Sequence, residues 1–182
     1  MTGMSIEESG LVFGPFPAED CWYVEKSVCY RRMQNVTIAE FLIVDHGGTP
    51  IVWTVEAKTG SPRPGTDNFD EFIAKICAKL TNAMMLTVAA CLGRRPDCAA
   101  ELPASFRNLD LARADFRLVL VVKGAPNPWP DDWLPPIKDA LNSRLKPLVS
   151  TWRLAPTAVM VFNESLARQY GLIRTPASAS SV

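Results

Sequence analysis

Residues 36–58 read VTIAEFLIVDHGGTPIVWTVEAK, and this stretch constrains the chain more than any other. Two runs rich in β-branched and aromatic residues flank a His-Gly-Gly-Thr-Pro turn, the pattern of a β-hairpin. A turn centred on Gly48 sets Leu42 opposite Thr54, Val44 opposite Val52 and Glu40 opposite Glu56. Side chains alternate along a strand, so Val52, Thr54, Glu56 and Lys58 share one face. The runs EFLIV and IVWTV are apolar enough to be buried on both sides. Acids inside such strands need a partner, because burying an unpaired charge is costly.

That requirement points to chemistry. Residues directly opposed on a hairpin have Cβ atoms about 4.5–5.5 Å apart. Two carboxylates that close repel unless a cation lies between them. A hard divalent ion such as Mg²⁺ or Mn²⁺ takes oxygen ligands, and Glu40, Glu56 and the backbone carbonyl of Ala57 would supply them. Lys58, on the same face, can polarise a water or balance charge growing on a phosphate. Asp45 is a weaker first acid than Glu40, since it lies beside the turn, about 16 Å along the strand at 3.2–3.4 Å per residue.

Glu40 followed by Glu56-Ala57-Lys58 at the end of the next strand resembles the acid and E-x-K core of the PD-(D/E)xK nuclease superfamily. That superfamily includes restriction endonucleases and Holliday-junction resolvases. The resemblance runs from about Glu19 to Gly171 and implies a restriction-endonuclease-like α/β fold, a mixed β-sheet with helices on both faces. It also implies a Mg²⁺- or Mn²⁺-dependent nuclease, with DNA the substrate before RNA, acting alone, as a homodimer or with a partner subunit. An acid from the first helix often joins the metal site in this superfamily, and Glu25 matches that position. The sequence departs from the pattern in carrying Glu40 where Asp is usual, with no proline before it. The alternative function is therefore a nuclease-like module without catalysis, serving a larger assembly.

The rest of the chain supplies an α/β order. A helix is expected over Glu19–Arg32, with a short strand over CWYV as the competing reading. A second helix, Phe69 to Cys91, carries Phe69, Phe72, Ile73, Ile76, Leu80, Met84 and Val88 at helical spacing. Strands follow at Phe116–Val122 and Thr157–Phe162, and helices at Trp133–Leu148 and after Asn163. Residues 1–17 read as an irregular arm, residues 18–174 as the nuclease-like domain and residues 175–182 as a disordered tail. Ser61, Arg63, Lys75 and Lys79 are candidate nucleic-acid contacts; for the two helix lysines a solvated flank is at least as good a reading. Trp129 and Trp133 suit core packing better than base stacking.

Composition excludes several classes. The 182 residues balance 19 Lys+Arg against 19 Asp+Glu, which argues against a protein that merely coats nucleic acid. One histidine, His46, rules out a His-rich zinc site; in its turn it reads as solvated. Five cysteines without C-x-x-C spacing read as small buried hydrophobes rather than as a zinc ribbon or disulfide framework. The N-terminus, MTGMSIEESG, carries acids where a signal peptide needs bases, and runs such as Leu118 to Val122 are too short to cross a bilayer. A cytoplasmic protein is expected.

Overall fold

The computed structural model describes residues 3–124 and 133–173. The expected tail and Trp129 lie outside them. The strands are β1 (Met4–Glu8), β2 (Leu11–Phe16), β3 (Cys21–Trp22), β4 (Phe41–Asp45), β5 (Ile51–Lys58), β6 (Asp115–Val122) and β7 (Val159–Phe162). The α-helices are α1 (Val28–Arg31), α2 (Phe69–Cys91), α3 (Pro96–Ala99), α4 (Ala104–Arg107), α5 (Leu134–Trp152) and α6 (Glu164–Gln169). Five strands form one sheet in the order β3-β4-β5-β6-β7. The β3-β4-β5 part is an antiparallel meander; β6 and β7 add in parallel. This is a mixed α/β architecture.

The hairpin register is the expected one: Leu42 pairs with Thr54, Val44 with Val52, and Asp45 with Ile51 beside the turn. Its two faces are buried by different elements. Leu42, Val44 and Val52 pack with Ile73, Ile76, Leu80 and Met84 of α2 and with Ile137 and Leu141 of α5. Phe41, Trp53, Val55 and Ala57 pack with Ile6, Leu11, Phe13 and Phe16 of the β1–β2 pair and with Ala167 of α6. The second face is thus covered by a small hairpin as much as by a helix. By length and composition α2 could cross a bilayer, but half of that window is buried inside the protein.

Four expectations need correction. Residues 1–17 are not an irregular arm, because β1 and β2 pair antiparallel. The signal was the Ser9-Gly10 dipeptide, with both residues at positive φ, which is the two-residue turn that matches strand twist. Residues 19–32 do not form one helix. They form β3, a single 3₁₀ turn over Val24–Lys26 and the short α1; the competing strand reading holds for Cys21 and Trp22. Ser27 stops the 3₁₀ turn and caps α1, accepting from Tyr30 N. Finally, Cys29 and Cys98 are not two separate small hydrophobes. They form a disulfide, with Cα atoms 5.1 Å apart, joining α1 to α3. Both cysteines are buried as expected; which two meet depends on the packing of α1 against α3, which no spacing reveals. His46 is also more than solvated: its Nε2 lies 2.9 Å from Asp20 Oδ1 and 3.2 Å from Ser105 Oγ.

Candidate active site

The site lies where β4 begins and β5 ends. Glu40 precedes β4, one residue before the last paired residue, Phe41, and its N–H donates to Val55 O at 3.1 Å, which ties it to β5. Glu56 and Lys58 project from β5 on the α2 side, and α2 sends Lys79 to meet them. Lys79 Nζ lies 2.8 Å from Glu56 Oε1 and 3.8 Å from Glu40 Oε1. Lys58 Nζ lies 2.5 Å from the same Glu56 oxygen. One ammonium therefore spans both acids, which places them on one face as the alternation predicts. The Glu56 side chain is fully buried and that of Glu40 is 5 % exposed. No donor reaches the second oxygen of either, Oε2 of Glu40 or Oε2 of Glu56.

Glu25 enters from the 3₁₀ turn, where its N–H donates to Glu40 O at 3.1 Å. Its carboxylate joins those of Glu40 and Glu8, with one oxygen of each within 4.8 Å of the others. Glu8 had no place in the sequence reading, since it lies in the segment taken as irregular. Tyr23 donates its phenol hydrogen to Glu8. Lys26 Nζ stands 3.4 Å from Glu25 Oε2 and 3.7 Å from Glu8 Oε1.

The electrostatics follow from this crowding. Burial, a hydrogen bond shared with Glu25 and the negative charges of Glu56 and Glu25 together push the Glu40 carboxyl from its ordinary 4.5 up to about 8. Burial would raise Glu25 too, but the shared hydrogen bond, Lys26 and Lys79 hold it below its ordinary value. Glu40 and Glu25 thus titrate as a pair with one proton between them. Burial disfavours the Lys79 ammonium, but Glu56, Glu40 and Glu25 outweigh it and raise its pKa.

A pH dependence follows. Between about 4.5 and 8 the folded protein keeps a proton on Glu40 that the unfolded chain has released. The folded state then binds more protons, so this group's contribution falls as pH rises through that window and levels off above it. Without metal, the difference in urea midpoint between the parent and Glu40→Gln should widen in favour of Glu40→Gln from about pH 5 to about pH 8. A difference independent of pH would refute the assignment.

The other expected residues separate. Ala57 O accepts a hydrogen bond from Ser9 Oγ at 2.9 Å, so the carbonyl proposed as a metal ligand is engaged by the β1–β2 turn. Arg63 lays its guanidinium over the Trp133 ring, 4.9 Å from the centroid. Ser61 turns back onto Pro62 O. Lys75 is an exposed helix flank paired with Glu71 at 2.7 Å, away from the acids. Lys79, grouped with it by sequence, belongs to the centre of the site. Asp45 accepts from Gly47 N at the far turn, where it pairs with Ile51. Comparison with family models, with curated proteins and with solved structures finds no match to this chain.

Proposed function

We propose that this chain is a metal-dependent phosphodiester hydrolase with a restriction-endonuclease-like fold, acting on nucleic acid and on DNA before RNA. The observation that carries the reading is the pair of buried acids, Glu40 and Glu56, each with an oxygen that no protein donor reaches. Desolvating two carboxylates costs several kcal/mol per ion by order of magnitude. Leaving lone pairs bare adds to that cost. A divalent cation held by Glu40 and Glu56, with Glu25 beside them, would satisfy both. The element order supports the fold part: a meander carrying the acids, a crossover helix, then parallel strands.

When bound, the ion polarises a phosphoryl oxygen and lowers the pKa of water. Lys58, about one-third exposed at the strand end, is placed to orient the attacking water and to balance charge growing on the phosphate. Lys79 balances the Glu56 charge at 2.8 Å and would be free to turn away were a cation held there. Arg63, braced on Trp133, is suited to a backbone phosphate as the strand leaves the site. A homodimer or partner subunit would serve cleavage of both strands.

A cleavage panel of single-stranded, double-stranded and branched DNA and of RNA, with Mn²⁺ or Mg²⁺, tests the reading. A thermal measurement accompanies it. Mn²⁺ at a hundredfold excess over Kd should stabilise the parent by about 2.7 kcal/mol, and Glu56→Gln should remove most of that gain. A second reading, a nuclease-like binding or structural module, is favoured by one feature: both lysines already converge on Glu56 Oε1. A parent that neither cleaves nor responds to metal would establish it.

A further inference from the structure

The β1–β2 hairpin does more than cover apolar surface. Alternation along β1 sends Ile6 and Glu8 in the same direction. Ile6 is buried in the core beneath the hairpin, so Glu8 is carried toward the sheet with it. Two contacts fasten the tip: Ser9 Oγ donates to Ala57 O at 2.9 Å, and Lys123 Nζ donates to Gly10 O at 2.8 Å. Lys123 N in turn donates to Lys58 O at 2.8 Å. The tip therefore reaches the ends of β5 and β6, while Glu8, just before it, reaches the acids at the start of β4.

Glu8, Glu25 and Glu40 bring three carboxylate oxygens within 4.8 Å of one another. Acids cluster on many surfaces without binding anything. Here one of them, Glu40, is 95 % removed from solvent with Oε2 unpartnered. The opposing charge comes from Lys26, which is 61 % exposed and screened by solvent, and from Lys79, 3.8 Å from Glu40 but closer to Glu56. The donor set is oxygen only, with the Tyr23 phenol beside it, which suits a hard divalent cation and not a thiolate- or imidazole-seeking metal.

We propose that Glu8 is a third carboxylate ligand, with Glu25 and Glu40, of a divalent-cation position beside Glu56, so that cation binding and seating of the N-terminal hairpin are one equilibrium. The inference rests on the reading of Glu40 as a metal ligand. It adds that a strand pair outside the acid-and-lysine meander completes the site. By linkage, an ion that needs Glu8 favours the seated hairpin, and loosening the hairpin weakens the ion by the same factor.

The full chain is titrated with Mn²⁺, following free ion by its paramagnetic resonance signal, and hydrogen exchange is read at the β1 and β2 amides. The parent, Glu8→Gln, Tyr23→Phe and Glu56→Gln are compared, with far-ultraviolet dichroism verifying that each is folded. Glu8→Gln should bind Mn²⁺ at least about tenfold more weakly. Mn²⁺ should slow hairpin exchange in the parent and not in Glu8→Gln. Tyr23→Phe removes the hairpin's phenol contact but keeps the carboxylate, so its affinity should match the parent's. Equal losses in Tyr23→Phe and Glu8→Gln would mean that Glu8 only docks the hairpin, and would overturn the ligand assignment. Parent-like affinity in Glu8→Gln, with Glu56→Gln weakened, would overturn it too, leaving the hydrolase reading intact. A parent that binds no Mn²⁺ overturns both.

Discussion

Lys79→Met should unfold at a clearly lower urea concentration than the parent, losing about 3–5 kcal/mol without metal, as expected when one partner of a buried ion pair is removed. The side chain it replaces is four-fifths buried and lies 2.8 Å from the fully buried Glu56. Methionine fills much of the lysine stem's volume, so the loss is electrostatic rather than a cavity. Lys58 still meets Glu56 at 2.5 Å, which moves the expectation toward the lower end of the range. Adding Glu56→Gln to Lys79→Met should recover a large part of the loss, because the stranded charge is gone. A loss within about 1 kcal/mol, the range of surface pairs, would show that Lys79 is not a structural counter-ion.

If the proposed hydrolase reading holds, Lys58→Ala should have the larger effect on activity and the smaller one on folding. Cleavage should fall by about 10²–10³-fold, the scale for deleting one electrostatic stabiliser of a developing anion. Mn²⁺ affinity should hold, since an ammonium is not a ligand. Stability should change by about 1 kcal/mol or less, because Lys79 remains on the same glutamate oxygen. Single-turnover cleavage at saturating Mn²⁺ separates the two effects. Parent-like rates would remove Lys58 from the chemistry and leave it as a second counter-ion of Glu56.

Much of this arrangement was legible in the chain itself, and the reasons are local. A hairpin with one tight turn has its register set by arithmetic, so Glu40, Glu56 and Lys58 could be put on one face before any coordinates. The 23 residues of α2 have an unbroken apolar stripe, and both ends were legible. Long-range packing was not. Lys75 and Lys79 are one helical turn apart and look alike in sequence, yet Lys75 meets solvent and Lys79 meets the acids, a difference set by how α2 lies on β5. Glu8 was missed because Gly14 and Pro15 interrupt the alternation of β2 and hid the hairpin. Residues 19–32 have helical spacing, but Ser27 stops the first turn and starts another, so Glu25 sits on a 3₁₀ turn instead of a long helix.

The backbone around Lys79 bears on how the charges of the site can rearrange. Ala39 N donates to Lys79 O at 3.2 Å, and Asn82 Nδ2 donates to Thr37 O at 2.8 Å. The residues leading into Glu40 are thus pinned along α2 by their main chain, at the same helical turn that supplies the ammonium. Glu40 is tied to β5 as well, through Val55 O, and Lys79 meets Glu56 on that same strand, so the segment bridges α2 and the hairpin. Rotation of the Lys79 side chain alone would break its contacts with the acids, a picosecond-to-nanosecond event for an exposed chain and slower for a packed one. Charge at the site can therefore be redistributed by torsion about the four carbon–carbon bonds of one side chain.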